Sequence, residues 1–419
     1  MAQPAQKPSS SKLEHQRLCW HYGDLVSYGF RRLRSKYHSR TAELPDLTYI
    51  ENALAALSLD TVQTQEALAN QLQSSLLPLL QGQMNTLFQA LDLAGLRNQP
   101  RPKLSLVLQT QAELDDSLDQ ITYLTATLCP DLATQPHRTD DHGLKRFKSC
   151  RLYRLKANVE LVLPWRMCEI FEAADKLIQK MELSSAPSIP GSPEIESLDK
   201  SLHVAVLGAL DTIKTMANCL QASELVIAQD LWKSSRLAIE NQLQSIIENL
   251  NLSMINRLNL EQALKEKFLG QSVIQLAKLT LPIFKLSKIF FSKVSKRGLA
   301  QERLPIHTEI SSQQVDILAV SADLVAEDLQ QLKILLESAN QRTGEATSAK
   351  FIKIAKSLQT GFETPLFLIL MYFIPLIPDT DGLHRQKYYQ NWCVTWNNQM
   401  ALAIHNFTLA AASFTNDLP

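Results

Sequence analysis

The stretch KLSLVLQTQAELDDSLDQITYLTATL, residues 103–128, indicates the fold class more clearly than any other part of this sequence. Pro102 comes just before the stretch and Pro130 just after it, at positions where prolines commonly border a helix. Between them, one set of mostly apolar residues recurs at steps of three and four, which places the set on one face of an α-helix. We therefore predict a long helix that packs in an antiparallel bundle through this face. Its residues are Leu104, Val107, Gln111, Leu114, Leu118, Ile121, Thr125 and Leu128.

Similar helical patterns run through most of the chain from about residue 45 onward. Helices are predicted over 60–93, with a kink at Pro78, and over 143–183, which contains Pro164. We find no run of β-branched or aromatic residues with the alternation expected of a strand. Glycine, at 12 of 419 residues, is well below its average of about 7%. The sequence therefore predicts an all-α protein.

A segment rich in proline and serine, SSAPSIPGSPEIE at 184–196, has the strongest linker composition in the chain. We predict two antiparallel helical bundles joined by this Pro/Ser-rich linker. The N-terminal bundle would cover 45–183 and the larger C-terminal helical domain 197–419. Residues 1–44 are predicted to form a basic, partly disordered N-terminal segment.

Positive and negative charges balance over the whole chain, with 42 Lys and Arg residues and 42 Asp and Glu residues. No net field would attract such a chain to nucleic acid or to anionic lipid, so binding of that kind would need a local patch. The basic run FRRLRSKYHSR, residues 30–40, is one candidate patch, which we interpret as a solvated helix face. No nucleic-acid partner is expected.

The six cysteines stand alone along the chain without any C-x-x-C pair, as free thiols of a reducing compartment do. The N-terminus lacks the apolar core of about 7 to 15 residues that a secretory signal needs. The apolar run LFLILMYFIPLI, 366–377, is shorter than the roughly 20 residues of a membrane-spanning helix. We interpret it as a short, fully buried helix that begins at Thr364 and Pro365. The expected location is intracellular, either cytoplasmic or nuclear, with no transmembrane segment.

An acidic motif lies within the 103–128 helix: Asp115, Asp116 and Asp119 have the D-D-x-x-D spacing. The motif resembles the one with which class I terpene synthases and prenyltransferases hold Mg²⁺ ions and a diphosphate. At about 100° per residue, however, the three carboxylates point roughly 100° to 200° away from Leu114 and its packing face. No second metal motif of the N-D-x-x-S-x-x-x-E kind is found. A solvated acidic surface is therefore predicted, and a Mg²⁺-dependent diphosphate enzyme is kept as an alternative.

The segment HRTDDH, 137–142, collects imidazole and carboxylate groups of the kind that bind zinc. Nothing at a fixed spacing completes a set of four ligands, so we predict instead that Asp140 and Asp141 cap a helix starting near Gly143. No nucleophile elbow, P-loop or dinucleotide fingerprint occurs in the sequence. We expect neither enzymatic activity nor a cofactor.

The segment PIFKLSKIFFSKVSKRG, 282–298, alternates apolar residues with cations. On a helix its aromatic and aliphatic side chains form one broad face opposite the lysines. Such basic amphipathic helices bind lipid interfaces or partner grooves. We predict that this one packs inside its own bundle, and peripheral membrane binding through 282–297 is an alternative function. The surface residues concerned are Lys285, Lys288, Lys293, Lys296 and Arg297.

Two stretches, RPKLSLVLQTQAELDDSLDQI at 101–121 and YYQNWCVTWNNQMALAIHNFTLAAASF at 388–414, carry a family resemblance. They resemble segments of a lineage-expanded family of uncharacterised helical proteins from rust fungi. That resemblance implies a helical fold and assigns no activity or site residue. The leading hypothesis is a non-enzymatic intracellular interaction or scaffold protein that presents helix faces to a protein partner.

Overall fold

The structure, a computed structural model, describes residues 10–42, 61–129, 138–186, 194–255, 271–295, 299, 304–339, 344–379 and 384–414. Most of these residues are helical. Within these ranges no strand occurs, and the all-α prediction is confirmed. Contacts divide the chain into two units. The N-terminal unit comprises Met1–Gln135 and Arg151–Leu220, and the C-terminal unit comprises Pro136–Cys150 and Gln221–Pro419.

The N-terminal unit is a bundle in which helix α1 packs against α5 and α7, and α5 packs against α3. Helix α8 joins the bundle through the ring contact of His203 with Phe88 of α3. It also approaches α7 closely at Gly208, where an added Cβ would lie 3.1 Å from the Arg166 guanidinium. The helices are α1 Ser10–Ala42, α2 Thr61–Gln71, α3 Leu77–Ala90, α4 Leu93–Asn98, α5 Pro100–Leu128, α6 Ser149–Ala157, α7 Leu163–Lys180 and α8 Ile195–Gln221.

In the described part of the C-terminal unit, five helices form a ring. Helix α9 contacts α10 and α11, α13 contacts α10 and α12, and α12 contacts α11. Aromatic side chains fill the core, where the Phe290 ring lies 4.7 Å from Trp396 and 5.2 Å from Phe362, centroid to centroid. The helices are α9 Glu224–Ile255, α10 Gln271–Val294, α11 Ser312–Ser338, α12 Gly344–Leu368 and α13 Arg385–Ala412.

Three π-helical turns each end two residues before a proline. A proline ring clashes with the carbonyl four residues earlier and offers no N–H to it, and a wider turn relieves both problems. The kink predicted at Pro78 therefore takes the form of a π turn. The three pairs are Leu72–Leu76 with Pro78, Asn158–Val162 with Pro164, and Ile369–Phe373 with Pro375.

The apolar run 366–377 does not form a separate short helix. Helix α12 begins at Gly344 and passes through Pro365, so the predicted start at Thr364 and Pro365 is wrong. The run is also not buried on all sides, because Phe367 and Met371 are each 57% exposed. Among the described residues, one helical stretch, Ser348–Leu376, is long and apolar enough to cross a membrane by length and composition. A core helix passes the same measure, so this stretch is weak evidence for a span.

The unit boundary differs from the predicted linker at 184–196. Helix α8 follows that linker but packs in the N-terminal unit, where the buried Arg151 side chain donates a hydrogen bond of 3.2 Å to the Cys219 carbonyl. The segment 1–44, predicted to precede the bundle, contributes α1 to it. Phe30 and Leu33 of α1 are fully buried.

All six cysteines are free thiols, and all but the half-buried Cys168 are buried. Burial raises the pKa of Cys129 to about 12 and that of Cys393 to about 11. Because the thiolate is the reactive form, we expect neither residue to react with a chromogenic disulfide reagent at pH 8 in the folded protein. Both should react after denaturation in guanidinium chloride, which is the control. Rapid labelling of Cys129 before unfolding, located by peptide mass mapping, would contradict this expectation.

Candidate functional site

Helix α1 lies in a groove between α5 and α7, referred to below as the α1 groove. Its buried side carries Val26, Phe30, Leu33 and Tyr37, at steps of four, three and four residues. The rings of Phe30 and Tyr37 lie 5.9 and 6.4 Å from the Phe171 ring of α7. This spacing is that of an amphipathic helix docked through one apolar stripe.

Two glycines allow α1 to approach the groove closely. A Cβ at Gly29 would lie 2.2 Å from the Gln111 side-chain oxygen of α5, and a Cβ at Gly23 would lie 1.9 Å from the Leu183 carbonyl oxygen. With the space at Gly29 open, the Gln111 amide nitrogen donates a hydrogen bond of 3.0 Å to the Val26 carbonyl. A larger residue at Gly23 would meet backbone and hold α1 away from the groove, whereas one at Gly29 would displace the Gln111 side chain and its hydrogen bond.

On the α5 side, cations of α1 bind the acidic motif. Lys36 Nζ lies 2.5 Å from Asp115 Oδ1 and 2.7 Å from Asp119 Oδ2, and Arg32 Nη2 lies 3.0 Å from Asp115 Oδ2. The Tyr37 hydroxyl donates to Asp115 Oδ1 at 3.1 Å. Since successive residues of α1 meet successive residues of α5, the two helices run parallel.

On the α7 side, a second pair of α1 cations binds a second pair of acids. Arg31 Nε lies 3.1 Å from Asp175 Oδ2, and Arg34 Nη2 lies 2.8 Å from Glu172 Oε2. Glu172 also accepts a hydrogen bond of 2.6 Å from Lys176. We predicted that the basic run at 30–40 is a solvated helix face. That prediction is incomplete, because four cations of the run link α1 to acids on both walls of the groove.

The electrostatics of the groove favour ionised carboxylates. Burial raises the pKa of Asp115, but the hydrogen bond and charge of Lys36, helped by Tyr37 and Arg32, outweigh burial and lower that pKa below its ordinary value of 3.8. The carboxylate that accepts from three α1 side chains is thus held charged at neutral pH.

Acid should release α1 from the groove. The pKa of Glu172 is lowered by its hydrogen bond from Lys176 and by the charge of Arg34, and that of Asp115 is lowered as well. A carboxylate with a lowered folded-state pKa stabilises the fold above its ordinary pKa, and this contribution is lost as the pH falls through the lowered value. We expect α1 docking to be constant from pH 7 to 5 and to weaken below about pH 4.

The indole of Trp20 reports this release, because its Nε1 donates a hydrogen bond of 3.0 Å to the Glu182 carbonyl at the end of α7. The measurement is the fluorescence difference between the wild type and the control variant Trp20→Phe during acid titration. A difference that stays flat until the far-ultraviolet dichroism of the whole chain is lost would contradict the expectation.

The three carboxylates of the acidic motif differ in their exposure to solvent. Asp116 is exposed, whereas Asp119 is half-buried and the Asp115 side chain is only 14% exposed, so the prediction of a solvated surface is wrong for Asp115. Cations of α1 already bind two of the three carboxylates that a diphosphate site would use. Among the residues that the structure describes, no group of three or more His, Cys, Asp and Glu side chains is arranged to hold a metal ion.

The segment 282–298 has its apolar face in the core of the C-terminal unit, where Phe284, Phe290 and Phe291 are fully buried. Packing inside its own bundle is therefore confirmed. The cations behave differently from one another. Lys285 is exposed, Lys288 lies 2.6 Å from Glu240, and Lys293 donates to the Tyr388 hydroxyl at 2.8 Å. Lys296 and Arg297 lie outside the described residues.

Sequence reasoning missed a buried polar cluster in the C-terminal unit. Lys148 and Glu224 are fully buried, and Lys148 Nζ donates to Glu224 Oε1 at 3.0 Å. The same ammonium donates to the carbonyls of Thr308 at 2.7 Å and Ile310 at 2.8 Å. All three of its protons are used and water is excluded, so the cluster holds segments together and offers no reactive group.

Asp141 is the second member of this buried region. Its carboxylate accepts hydrogen bonds from the backbone N–H of Ser149 at 2.8 Å and of Ser312 at 2.9 Å, and from the Ser312 hydroxyl at 2.5 Å. It therefore caps the first turns of α6 and α11, not a helix at Gly143 as predicted. Asp140 is exposed and paired with Arg138, and His137 lies outside the described residues.

A shallow groove of about 350 Å³ lies between α11 and α12. Asp328 stands at its wall, where burial raises the pKa of that carboxyl, and Lys350 and Lys353 are exposed beside it. A hydrogen bond with Ser357, which also lines the groove, acts on that pKa in the opposite direction. The other lining residues are Gln331, Ile334, Leu335, Ser338 and Ile354.

Two families of unknown function match the chain in succession. The domain of unknown function DUF8723 matches residues 65–221, and the domain of unknown function DUF8721 matches residues 223–409. The matches meet next to the boundary between the two units at residues 220 and 221. No curated protein and no solved structure matches the chain. Helix α1 lies outside the DUF8723 match although it packs in the same unit.

Proposed function

We propose that the protein is a non-enzymatic interaction protein whose N-terminal unit binds a basic amphipathic helix in the α1 groove. The observation that carries this proposal is the matching of charges across the groove. Four cations of α1 meet four carboxylates on the two walls, around a central apolar stripe. The pairs are Arg32 and Lys36 with Asp115 and Asp119, and Arg31 and Arg34 with Asp175 and Glu172.

Two features mark α1 as a separable occupant of this groove. It lies outside the DUF8723 match, which begins at residue 65, inside α2, and continues through α8. Much of its attachment is by half-exposed ion pairs, which contribute about 0.2–1 kcal/mol each and weaken with salt.

The partner that fits is a protein carrying a helix with the pattern of α1. Such a helix has apolar anchors at steps of three and four and arginine or lysine on both flanks of the stripe. We place this interaction inside the cell, in the cytoplasm or nucleus. The protein would then respond to its partner by exchanging its own helix for a foreign one.

The alternatives have less support. A membrane-binding role for 282–297 would need the apolar face that Phe284, Phe290 and Phe291 bury in the core. A diphosphate enzyme would need Asp115 and Asp119 free of Lys36. No contact in the described part of the chain favours either role over the binding of a helix.

The test uses the full chain with a specific protease site placed between residues 43 and 60. After cleavage, α1 should stay bound at low salt and exchange with a fluorescent peptide of residues 10–42. Exchange should accelerate in 0.5 M salt, and a peptide with Arg31, Arg32, Arg34 and Lys36 changed to Glu should not bind. A peptide with only the exposed Arg17 changed to Glu is the matched control and should bind normally. If the peptide with these four cations changed to Glu bound as tightly as the wild-type peptide, the proposal would be refuted.

A further inference from the structure

We propose that Ser35 is a phosphorylation site that controls whether α1 occupies its groove. This inference rests on the proposed function and adds its regulation. Ser35 is exposed on the outer side of α1. Arg32 and Arg31 precede it by three and four residues, which places both one helical turn away on the same side. Arg34 and Lys36, its direct neighbours in the sequence, project about 100° to either side of Ser35 and contact Glu172 and Asp119.

The sequence Arg31-Arg32-Leu33-Arg34-Ser35 suits a protein kinase that recognises arginines before its acceptor serine. The Ser35 Oγ attacks the γ-phosphorus of ATP, the bond to the bridging oxygen of ADP breaks, and the hydroxyl proton passes to the base of the kinase. ATP is the co-substrate, and ADP and phosphoserine are the products.

The new phosphate would compete with the groove for the cations of α1. A phosphoserine carries a charge of about −1.5 to −2 at pH 7 and accepts charge-assisted hydrogen bonds from arginine. Arg31 and Arg32 are the cations within its reach, and they now bind Asp175 and Asp115. Both carboxylates would lose part of their attraction to α1.

The walls of the groove also repel the modified helix. The phosphate adds negative charge to a helix that faces Asp115, Asp119, Glu172 and Asp175. The combined charge of the four α1 cations that bind these acids and of the phosphate is then roughly two. The apolar stripe is unchanged by the modification. Phosphorylation therefore weakens docking through charge and leaves the shape of α1 as it is.

Docking would in turn control the modification. Ser35 lies inside the helix Ser10–Ala42, two turns before its end, and a docked helix cannot enter the active site of a kinase as an extended segment. The kinase would act when a partner has displaced α1, and the phosphate would then oppose its return. Phosphorylation of Ser35 would thus keep the groove accessible to the partner.

The experiment uses the full chain with the cleavable 43–60 segment and an arginine-directed serine kinase with ATP. Mass mapping should place phosphate on Ser35 of the chain whose α1 has been displaced by an excess of the 10–42 peptide carrying Ser35→Ala, and none on the Ser35→Ala chain. Exchange of α1 should be about tenfold faster after phosphorylation and about threefold faster in Ser35→Glu, which adds a single charge. Ser75→Glu, at an exposed serine of the turn Leu72–Leu76 and outside α1, is the matched control and should leave exchange unchanged.

Two results would overturn the proposal. One is complete phosphorylation of Ser35 without faster exchange of α1. The other is no phosphate on Ser35 after α1 has been displaced. Exchange of the unmodified wild type, measured first, tests the proposed function by itself, so a failure of the groove is distinguished from a failure of Ser35.

Discussion

Replacing Lys148 by methionine is expected to lower the free energy of unfolding of the C-terminal unit by about 3–5 kcal/mol. The Lys148 ammonium is fully buried and donates to Glu224, Thr308 and Ile310. Methionine fills a similar volume but leaves the carboxylate of Glu224 without its counter-charge and two carbonyls without a donor. Burying such groups is far more unfavourable than losing a surface ion pair.

Guanidinium denaturation followed by far-ultraviolet dichroism measures this loss in the full chain. Lys285→Met is the matched control, because Lys285 is an exposed lysine of α10 in the same unit, and it should unfold like the wild type. The double variant Lys148→Met, Glu224→Leu removes both charges together and should recover part of the lost stability. A loss below about 1 kcal/mol in the single variant would show that the cluster is not the link we describe.

The same cluster shows what local sequence patterns cannot supply. Lys148 is joined to Ile310 across 162 positions of the chain, and no periodic pattern connects two segments so far apart. The residues HRTDDH were identified as chemically unusual, and Asp141 was interpreted correctly as a cap. Which helices it caps depended on Ser312, which only the folded chain brings close.

Apolar residues repeated at helical spacing correctly predicted which side chains are buried. Each of the eight residues assigned to the packing face of the 103–128 helix is buried, because a helix in a bundle must bury its apolar stripe. The aromatic face of 282–298 is buried for the same reason. The start assigned at Thr364 and Pro365 failed because proline at the first helical position and proline inside a longer helix look alike over a few residues.

Asp115 was missed for a geometric reason. On the helical wheel, Asp115 lies roughly 100° from Leu114. We predicted it to be solvated because we assumed that the helix has one packing face, the one that contains Leu114. Helix α5 packs against α1 as well as α3, so its buried arc is wider than one seam and reaches Asp115. A basic run elsewhere in the sequence, the one at residues 30–40, was the signal that could have suggested a partner for this acid.

Changing Asp115 to asparagine is expected to weaken the docking of α1 by about 1.5–3 kcal/mol, because asparagine keeps the shape of the side chain but loses the charge that Lys36 and Arg32 bind. Asp116→Asn removes the same charge from the adjacent, exposed position and should leave docking unchanged. The readout is exchange of α1 in the cleaved chain.

Since the pKa of Asp115 is lowered, the difference between wild type and Asp115→Asn should persist at pH 5. It should vanish as the pH falls through that lowered value, when the wild-type carboxyl is also neutral. Equal effects of the two variants at pH 7 would mean that long-range charge, and not the contact at Asp115, holds α1 in its groove.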